Sequence, residues 1–407
     1  MTTAGSLPSI CFVASGAYGA VSGRPEVRHI GGAEMQQVRI GRELRRRGHA
    51  VSFVTLDHGQ PDGVEHEGLK VFRMCAWEDG LPGLRFVHPR WTSLWGALKR
   101  ANADVYYQRG AGPETGQVAL WCSLRRRPFL FAAASDTNCI PSLPDLPTRR
   151  ERVLYRYGLR RATRVVAQTE AQAALLRESF GLASTLIKSC SEDPLGAAEP
   201  APFEARTGRV LWIGRFAKKK RFELLLDLAE ASPQIAFDVV GGEASSREYS
   251  ARMSERARHL PNITLHGWVP QEGMGAFYDR ASMLICTSWV EGFPNTFMEA
   301  WARGTPTVST VDPDGLIRKH GLGAAGDTAG DLRAAIVSLR SSAETWRGCA
   351  QRARRYFLEN HTIPAAVDRY EELLRSLSAR GREAATGRDE AVGRESPPRP
   401  RRANTGA

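Results

Sequence analysis

Short apolar runs of strand length alternate with segments of helical spacing along nearly the whole chain, and the alternation starts twice. The first series has strand-like runs at Ser9 to Ala14, Ala50 to Thr55, Asp104 to Tyr107, Pro128 to Ala132 and Arg164 to Gln168. A helical stretch, Gly31 to Arg47, separates the first two. Near residue 190 the pattern breaks, and Asp193-Pro194 through Gly208 is rich in Ala, Pro, Gly and Glu, a linker composition. The second series runs through Val210 to Ile213, Ala236 to Val240, Ile263 to Leu265, Met283 to Thr287 and Thr305 to Val308. Strands separated by helices need crossover connections, which produce parallel sheets covered on both faces. The expected fold class is therefore α/β: two Rossmann-like, doubly wound parallel-sheet domains facing across a cleft, with a site at the carboxyl ends of both sheets. The expected divisions are residues 1–193, a linker at 194–207, a second domain at 208–364, a helix at 365–380 and a tail at 381–407. That tail is dominated by Gly, Pro, Arg and Glu, a composition expected to be disordered.

The segment Glu291-Gly292-Phe293-Pro294-Asn295-Thr296-Phe297-Met298-Glu299 carries the most chemistry. An apolar run, Ser282 to Thr287, precedes it. A helical stretch, Phe297 to Arg303, follows and stops at Gly304 and Pro306. The segment reads as strand, tight turn and helix, with Pro294 in the first helical turn, where a missing N–H costs nothing. Gly292 lets the backbone approach a ligand, and the free N–H groups of a helix start attract phosphate. Glu291 sits at the mouth of the turn and Glu299 about one turn into the helix, at ~1.5 Å rise per residue. A diphosphate flanked by two hydroxyl-rich groups fits these features, and a nucleotide-sugar is such a molecule. Leu211 to Lys220 opens the second half. Its strand is expected to end at Gly214, which places Arg215 and Lys220 on the first loop of that domain. In the first half, Gly31-Gly32-Ala33-Glu34 starts a helix after a long loop, Ser15 to Ile30. The absence of G-x-G-x-x-G there argues against a dinucleotide oxidoreductase.

The stretch VEGFPNTFMEAWARGTPTV resembles the signature of family 4 retaining glycosyltransferases, which have the two-domain GT-B fold. The resemblance implies that Glu299 binds the ribose hydroxyls of the donor nucleotide and that Glu291 holds the transferred sugar. It implies backbone contacts from Gly292, Phe293 and Asn295, and a glycine-rich loop at Gly31 and Gly32 facing the donor phosphate. It assigns Arg215 and Lys220, an Arg and a Lys five residues apart, to the leaving diphosphate, so that neither a divalent metal nor a cofactor is expected. It also implies that the last helical stretch, Ala365 to Ala379, packs back on the first domain. Two departures stand out. Arg221 follows Lys220 where the family often has Gly, which leaves open which lysine points inward. Ala134-Ser135-Asp136-Thr137-Asn138 stands where many members have a His. Asp136 either replaces that His as a hydrogen-bond acceptor or N-caps the next helix. The implied activity is retaining transfer of a hexose-like unit from a nucleoside diphosphate sugar to a hydroxyl of a glycan or lipid-linked glycan, with Arg215, Lys220, Glu291 and Asp136 as the catalytic group. A nucleotide-sugar epimerase of the same fold and a non-catalytic nucleotide-sugar-binding protein are the alternatives.

The acceptor side is less marked. Ser15 to Ile30 is long for a βα connection and reads as an acceptor-binding lid. Tyr107-Gln108-Arg109-Gly110-Ala111-Gly112, at another strand end, is a second candidate patch. The net charge of +12 is concentrated in the first half, at Arg45 to Arg47, Lys99-Arg100, Arg125 to Arg127, Arg149 to Arg152 and Arg160-Arg161. No nucleic-acid motif accompanies it, so a nucleic-acid partner is not expected and an anionic membrane surface is the preferred partner. Trp91, Leu94, Trp95 and Leu98 fall at i, i+3, i+4 and i+7. They form either a core-facing stripe or an interfacial helix. No apolar run approaches the ~20 residues of a bilayer span, and the chain starts without the basic n-region of a signal peptide. Seven scattered cysteines without CxxC spacing argue for reduced thiols and against a metal site. The expected location is cytoplasmic, peripheral at the inner face of the cell membrane.

Overall fold

A computed structural model describes residues 7–24, 31–243 and 246–392, with side chains to residue 377. The first sheet contains β1 (Ile10–Val13), β2 (Val51–Thr55), β3 (Val64–His66), β4 (Leu69–Arg73), β5 (Val105–Arg109), β6 (Phe129–Ala132), β7 (Arg164–Ala167) and β8 (Thr185–Leu186), in the order β3-β4-β2-β1-β5-β6-β7-β8. Its neighbours pair in parallel except β3 and β4. Those two form an edge hairpin whose turn, Glu67-Gly68, has positive φ at both residues, the geometry that matches strand twist. The second sheet contains β9 (Val210–Phe216), β10 (Phe237–Glu243), β11 (Ile263–Gly267), β12 (Met283–Cys286), β13 (Thr307–Ser309) and β14 (Gly323–Ala325). It is parallel throughout, in the order β11-β10-β9-β12-β13-β14.

Each chain half winds outward from its first strand in one direction and then in the other. The order reverses between β1 and β5 in one sheet and between β9 and β12 in the other. A crevice opens beyond the strand carboxyl ends at such a reversal. The end of β9, which carries Arg215, and the loops after β9 and β12, which carry Lys220 and Glu291, therefore share one crevice. The strands β1, β2, β5, β6 and β12 are buried along their whole length, as expected of strands covered on both faces.

The last helix, Ile363–Val392, puts Val367, Tyr370 and Leu374 into the core of the first domain with Val38, Leu44 and Tyr107. It is helical to Val392, where a disordered tail was expected from residue 381. Arg, Glu and Ala in this stretch are good helix formers, and they extend a helix that is already anchored, so low hydrophobicity does not prevent helicity. Residues 393–407 lie outside the described residues. The linker composition at 194–207 does not give a loose segment. Arg206 is buried and donates to the carbonyls of Tyr278, Ala281 and Arg303 and to the Thr305 hydroxyl.

One alternative left open by the sequence is decided here, and one expectation changes. The helix Thr92–Ala101 buries Leu94 and Leu98 completely, and Trp95 donates to the Gln117 carbonyl at 3.1 Å. Its stripe is core-facing, not interfacial. The long loop after β1 contains a short helix, Tyr18–Ser22, whose Tyr18 and Val21 are buried in the first core. That part is not a lid, and residues 25–30 of the expected lid lie outside the described residues. None of the described helices is long and apolar enough to cross a membrane.

Candidate functional site

Strand β9 runs two residues past its expected end at Gly214 because β10 continues to pair with it, Gly241 to Gly214, Gly242 to Arg215 and Glu243 to Phe216. Arg215 thus sits on the strand end and not on the loop. Its side chain is exposed and has no hydrogen bond or ion pair among the described residues. A 3-10 turn, Lys218–Lys220, follows. The Thr287 hydroxyl donates to the Lys220 carbonyl at 2.7 Å and the Trp289 N–H to the Lys219 carbonyl at 2.9 Å, which pins this turn to the loop after β12. Lys218 and Lys219 are exposed, while the Lys220 ammonium pairs with Glu291 Oε1. Burial alone would lower the Lys220 pKa, but Glu291 more than offsets it and the net shift is upward. The Ser288 hydroxyl donates to the same Glu291 oxygen at 2.7 Å. Arg221, standing where the family often has Gly, has φ of 47°, in the left-handed region that favours glycine. Its guanidinium lies 3.7 Å from the Trp289 ring centroid.

The helix after the Glu291 turn runs from Asn295 to Trp301, with Pro294 as its N-cap residue and not in its first turn. Asn295 and Glu299, one turn apart, share a face, and that face meets the first domain. Asn295 donates to the Gly32 carbonyl at 3.1 Å and accepts from Gln36 Nε2 at 3.1 Å. Glu299 Oε1 accepts from Arg39 Nη2 at 2.8 Å, and its Oε2 accepts from the Tyr278 hydroxyl at 2.8 Å. Burial acts to lower the Arg39 pKa, and Glu299 raises it above the ordinary value. Gly31 N-caps the helix Gly32–Arg46 that carries Gln36 and Arg39. Phe293 is buried, with its ring 4.6 Å from that of His361. Beside Glu299 a cavity of about 400 Å³ lies between the domains, lined by Arg24, Arg39, Arg42, Trp268 and Tyr278 among others. That volume lies within the range of small-molecule pockets.

The first domain closes on the Glu291 turn. Ser135 is the N-cap residue of the 3-10 turn Asp136–Asn138, so Asp136 is not a helix cap. Asp136 Oδ1 accepts from Gln172 Nε2 at 3.0 Å. Burial raises the Asp136 pKa; the Gln172 hydrogen bond opposes this, and the charges of Asp314 and Glu291 add to it. Gly292 forms a backbone bridge with Ser135. A Cβ on Gly292 would lie 2.4 Å from the Ala134 carbonyl oxygen and 2.4 Å from Gln168 Nε2, so the close approach this glycine allows is between domains. Asp314 of the second domain accepts from the backbone N–H groups of Glu170 and Ala171 at 2.9 and 3.0 Å, at the start of the helix Glu170–Phe180. The other acceptor candidate, Tyr107 to Gly112, does not present its long side chains to the cleft. Tyr107 is fully buried, and Arg109 donates to Gln168 Oε1 at 2.8 Å and to the Ser189 hydroxyl at 3.1 Å in the interior.

Lys220 with Glu291, and Gly32 with Asn295, are therefore brought into contact, and Asp136 lies within electrostatic reach of Glu291. Sequence reasoning missed Arg39, Gln36, Tyr278, Gln172, Ser288 and Asp314. The only signal for the first two was their spacing from Gly32 on one helix face.

Two doubly wound parallel-sheet domains that face each other across the carboxyl ends of their strands have the GT-B class of architecture. Residues 31–187 match the family described as glycosyl transferase 4-like domain, and residues 207–342 the family described as glycosyl transferases group 1. The chain belongs to the group 1 glycosyltransferases. It is 31% identical over 176 residues to mannosylfructose-phosphate synthase of Agrobacterium fabrum, a match covering 38% of this chain and 38% of that protein. It is 27% identical over 354 residues to the 2-deoxystreptamine N-acetyl-D-glucosaminyltransferase of Streptomyces fradiae, covering 74% of this chain and 82% of the relative. Sucrose-phosphate synthase from Thermosynechococcus elongatus superposes with a TM-score of 0.74 at 19% identity, over 91% of this chain and 99% of the other. That superposition shows the shared fold.

Proposed function

We propose that this protein transfers a sugar from a nucleoside diphosphate sugar to a hydroxyl of a glycan or lipid-linked glycan, with retention at the anomeric carbon and without a divalent metal. The observation that carries the reading is the Lys220–Glu291 pair beside Arg215, which is unpaired among the described residues, at the strand-order reversal of the second sheet and facing Asp136 of the first domain. In this reading Glu299 accepts from the ribose hydroxyls, Arg215 and Lys220 hold the diphosphate, and Glu291 orients the sugar without becoming a covalent nucleophile. An ammonium has three donors, so Lys220 keeps Glu291 while it contacts phosphate. As the bond from C1 to the diphosphate oxygen breaks, its electron pair stays on that oxygen. The acceptor hydroxyl bonds to C1 on the same face, and its proton passes to the departing phosphate. Fixed cations stabilise this developing charge more than the ground state. Asp136 accepts a hydrogen bond from a sugar or acceptor hydroxyl.

A thermal-shift panel of UDP, GDP, ADP and their sugars tests donor binding. The preferred donor is expected to stabilise the protein by ~3 kcal/mol at a hundredfold over its dissociation constant. No shift with any of them would contradict the reading. Because the two cations supply the charge of a metal ion, EDTA is expected to leave turnover intact. Activity that disappears and returns with magnesium or manganese would contradict that part.

Peripheral contact with an anionic membrane is also proposed, at a different place from the helix singled out by its spacing. Four of the twelve exposed large apolar side chains among the described residues, Trp77, Leu81, Leu84 and Val87, fall in one segment after β4. That segment leaves the sheet at the carboxyl ends, on the cleft side. Arg90 stacks on Trp77 and Arg150 on Phe86, at 4.7 and 3.7 Å from the ring centroids. Exposed apolar clusters with a basic rim suit an anionic interface. The protein is expected to sediment with anionic vesicles at low salt and to be released by high salt, and Leu81→Ser with Leu84→Ser should weaken that binding. Equal recovery with neutral and anionic vesicles would refute it.

A further inference from the structure

Arg39 is a buried cation of the first domain whose only ion-paired carboxylate among the described residues belongs to the second, Glu192 of its own domain acting on it through charge alone. Its side chain is 4% exposed and that of Glu299 is 16% exposed, so the pair is withdrawn from water on both sides. The same guanidinium donates to the Cys190 carbonyl at 3.3 Å, where the chain prepares to leave the first domain. One turn earlier on the same helix, Gln36 donates to that carbonyl at 2.7 Å and accepts from the Cys190 N–H at 2.9 Å, while also reaching Asn295. Gly32, Gln36 and Arg39 thus form one helix face, set against Asn295 and Glu299 on the other helix. The carboxylate receives one hydrogen bond on each oxygen, from Arg39 and from Tyr278. Each oxygen keeps a second lone pair.

We infer that Arg39 is a positioning residue for the donor site, holding the Glu299 carboxylate across the cleft in the orientation that receives the nucleotide, so that the site is complete only when the domains are closed. This rests on the reading of Glu299 as the ribose ligand. Tyr278 supplies the fixed half of the constraint from within the second domain, and Arg39 the half that arrives with closure. Removing Arg39 leaves a partly buried carboxylate with one donor, free to turn toward water, and removes the main charged tie across this seam. An unbranched apolar side chain at 39 preserves the packing of the helix and loses the charged guanidinium.

The test is a double-mutant cycle on nucleoside diphosphate affinity, measured by calorimetry on the full chain with Arg39→Met, Glu299→Ala and the pair. Arg39→Met is expected to weaken binding about tenfold, the scale of one hydrogen bond to a charged group. The double variant should bind within about twofold of Glu299→Ala alone, because Arg39 acts through that carboxylate. In solution scattering, the nucleotide-bound wild type should be compact and Arg39→Met more extended. Arg39→Lys, which keeps the charge without the fork, should fall between wild type and Arg39→Met, and it carries the same comparison if the Met variant does not fold. Unchanged affinity in Arg39→Met, tighter binding, or losses that multiply in the double variant would overturn the inference. Should Glu299→Ala itself bind as wild type does, the ribose assignment fails. Should Glu299→Ala weaken binding while Arg39→Met does not, the ribose assignment stands and only the role of Arg39 is lost.

Discussion

Replacing Lys220 with methionine is expected to lower turnover by about 100-fold or more, the usual effect of losing a fixed charge aimed at a developing anion. Methionine fills most of the same volume and removes only the ammonium. Donor affinity should change much less than turnover, because the negative charge to be stabilised grows as the diphosphate departs. The structure adds a control. Lys220 and Glu291 are an ion pair with limited exposure, at 27% and 17% of their side-chain surfaces. Breaking such a pair harms the fold by stranding a charge, and removing both partners relieves that damage. If the pair were only structural, Lys220→Met with Glu291→Gln would recover activity. With Lys220 at the phosphate and Glu291 at the sugar, the double variant should remain as inactive as the single ones. Arg215→Ala should show a similar loss without any stability cost, since its side chain is exposed and unpaired among the described residues.

Gly292→Ala is expected to reduce kcat by roughly 100-fold, the cost of about 1 Å of misplacement at a reacting centre. The cause is steric and lies between domains. A methyl group there would stand 2.4 Å from the Ala134 carbonyl oxygen and 2.9 Å from Gln172 Nε2, and the first of these is backbone that cannot turn aside. The Glu291 turn and the Asp136 loop must therefore separate. Nucleotide affinity should fall far less than turnover, by no more than the roughly tenfold expected of losing the Arg39 contact, because Tyr278 still holds Glu299 from within the second domain. Steady-state kinetics beside binding by calorimetry reads the split directly. Full turnover in Gly292→Ala would mean that the closed contact at Ser135 is not part of the working form.

The parts of this arrangement that are local in sequence were readable in it. The Glu291 turn, the helix after it and most central strands follow from apolar runs, a glycine and a proline. The short edge strands β3, β8 and β14 gave no such signal, because two or three residues carry no periodicity. The end of β9 was misplaced because Gly214 looks like a stop, while pairing with Gly241 to Glu243 on the neighbouring strand continues the ladder. Nothing local marks Arg39 as the partner of Glu299, 260 residues away, or Asp314 as the acceptor for the N–H groups of Glu170 and Ala171. Those contacts exist only once the two domains face each other. Tyr107 to Gly112 failed as an acceptor patch for the same reason, since its strand-end position was right and the burial of its side chains was set by the last helix and by Gln168 and Ser189.

The central claim is sugar transfer from a nucleoside diphosphate donor, and acceptor-dependent release of that nucleoside diphosphate tests it most directly. With the donor chosen by thermal shift and a panel of glycan and lipid-linked acceptors, release should require an acceptor, and the product should keep the anomeric configuration of the donor. Conversion of the donor to an isomeric nucleotide-sugar without acceptor would identify an epimerase, and tight binding with no release across the panel would identify a binding protein; either result would contradict the claim.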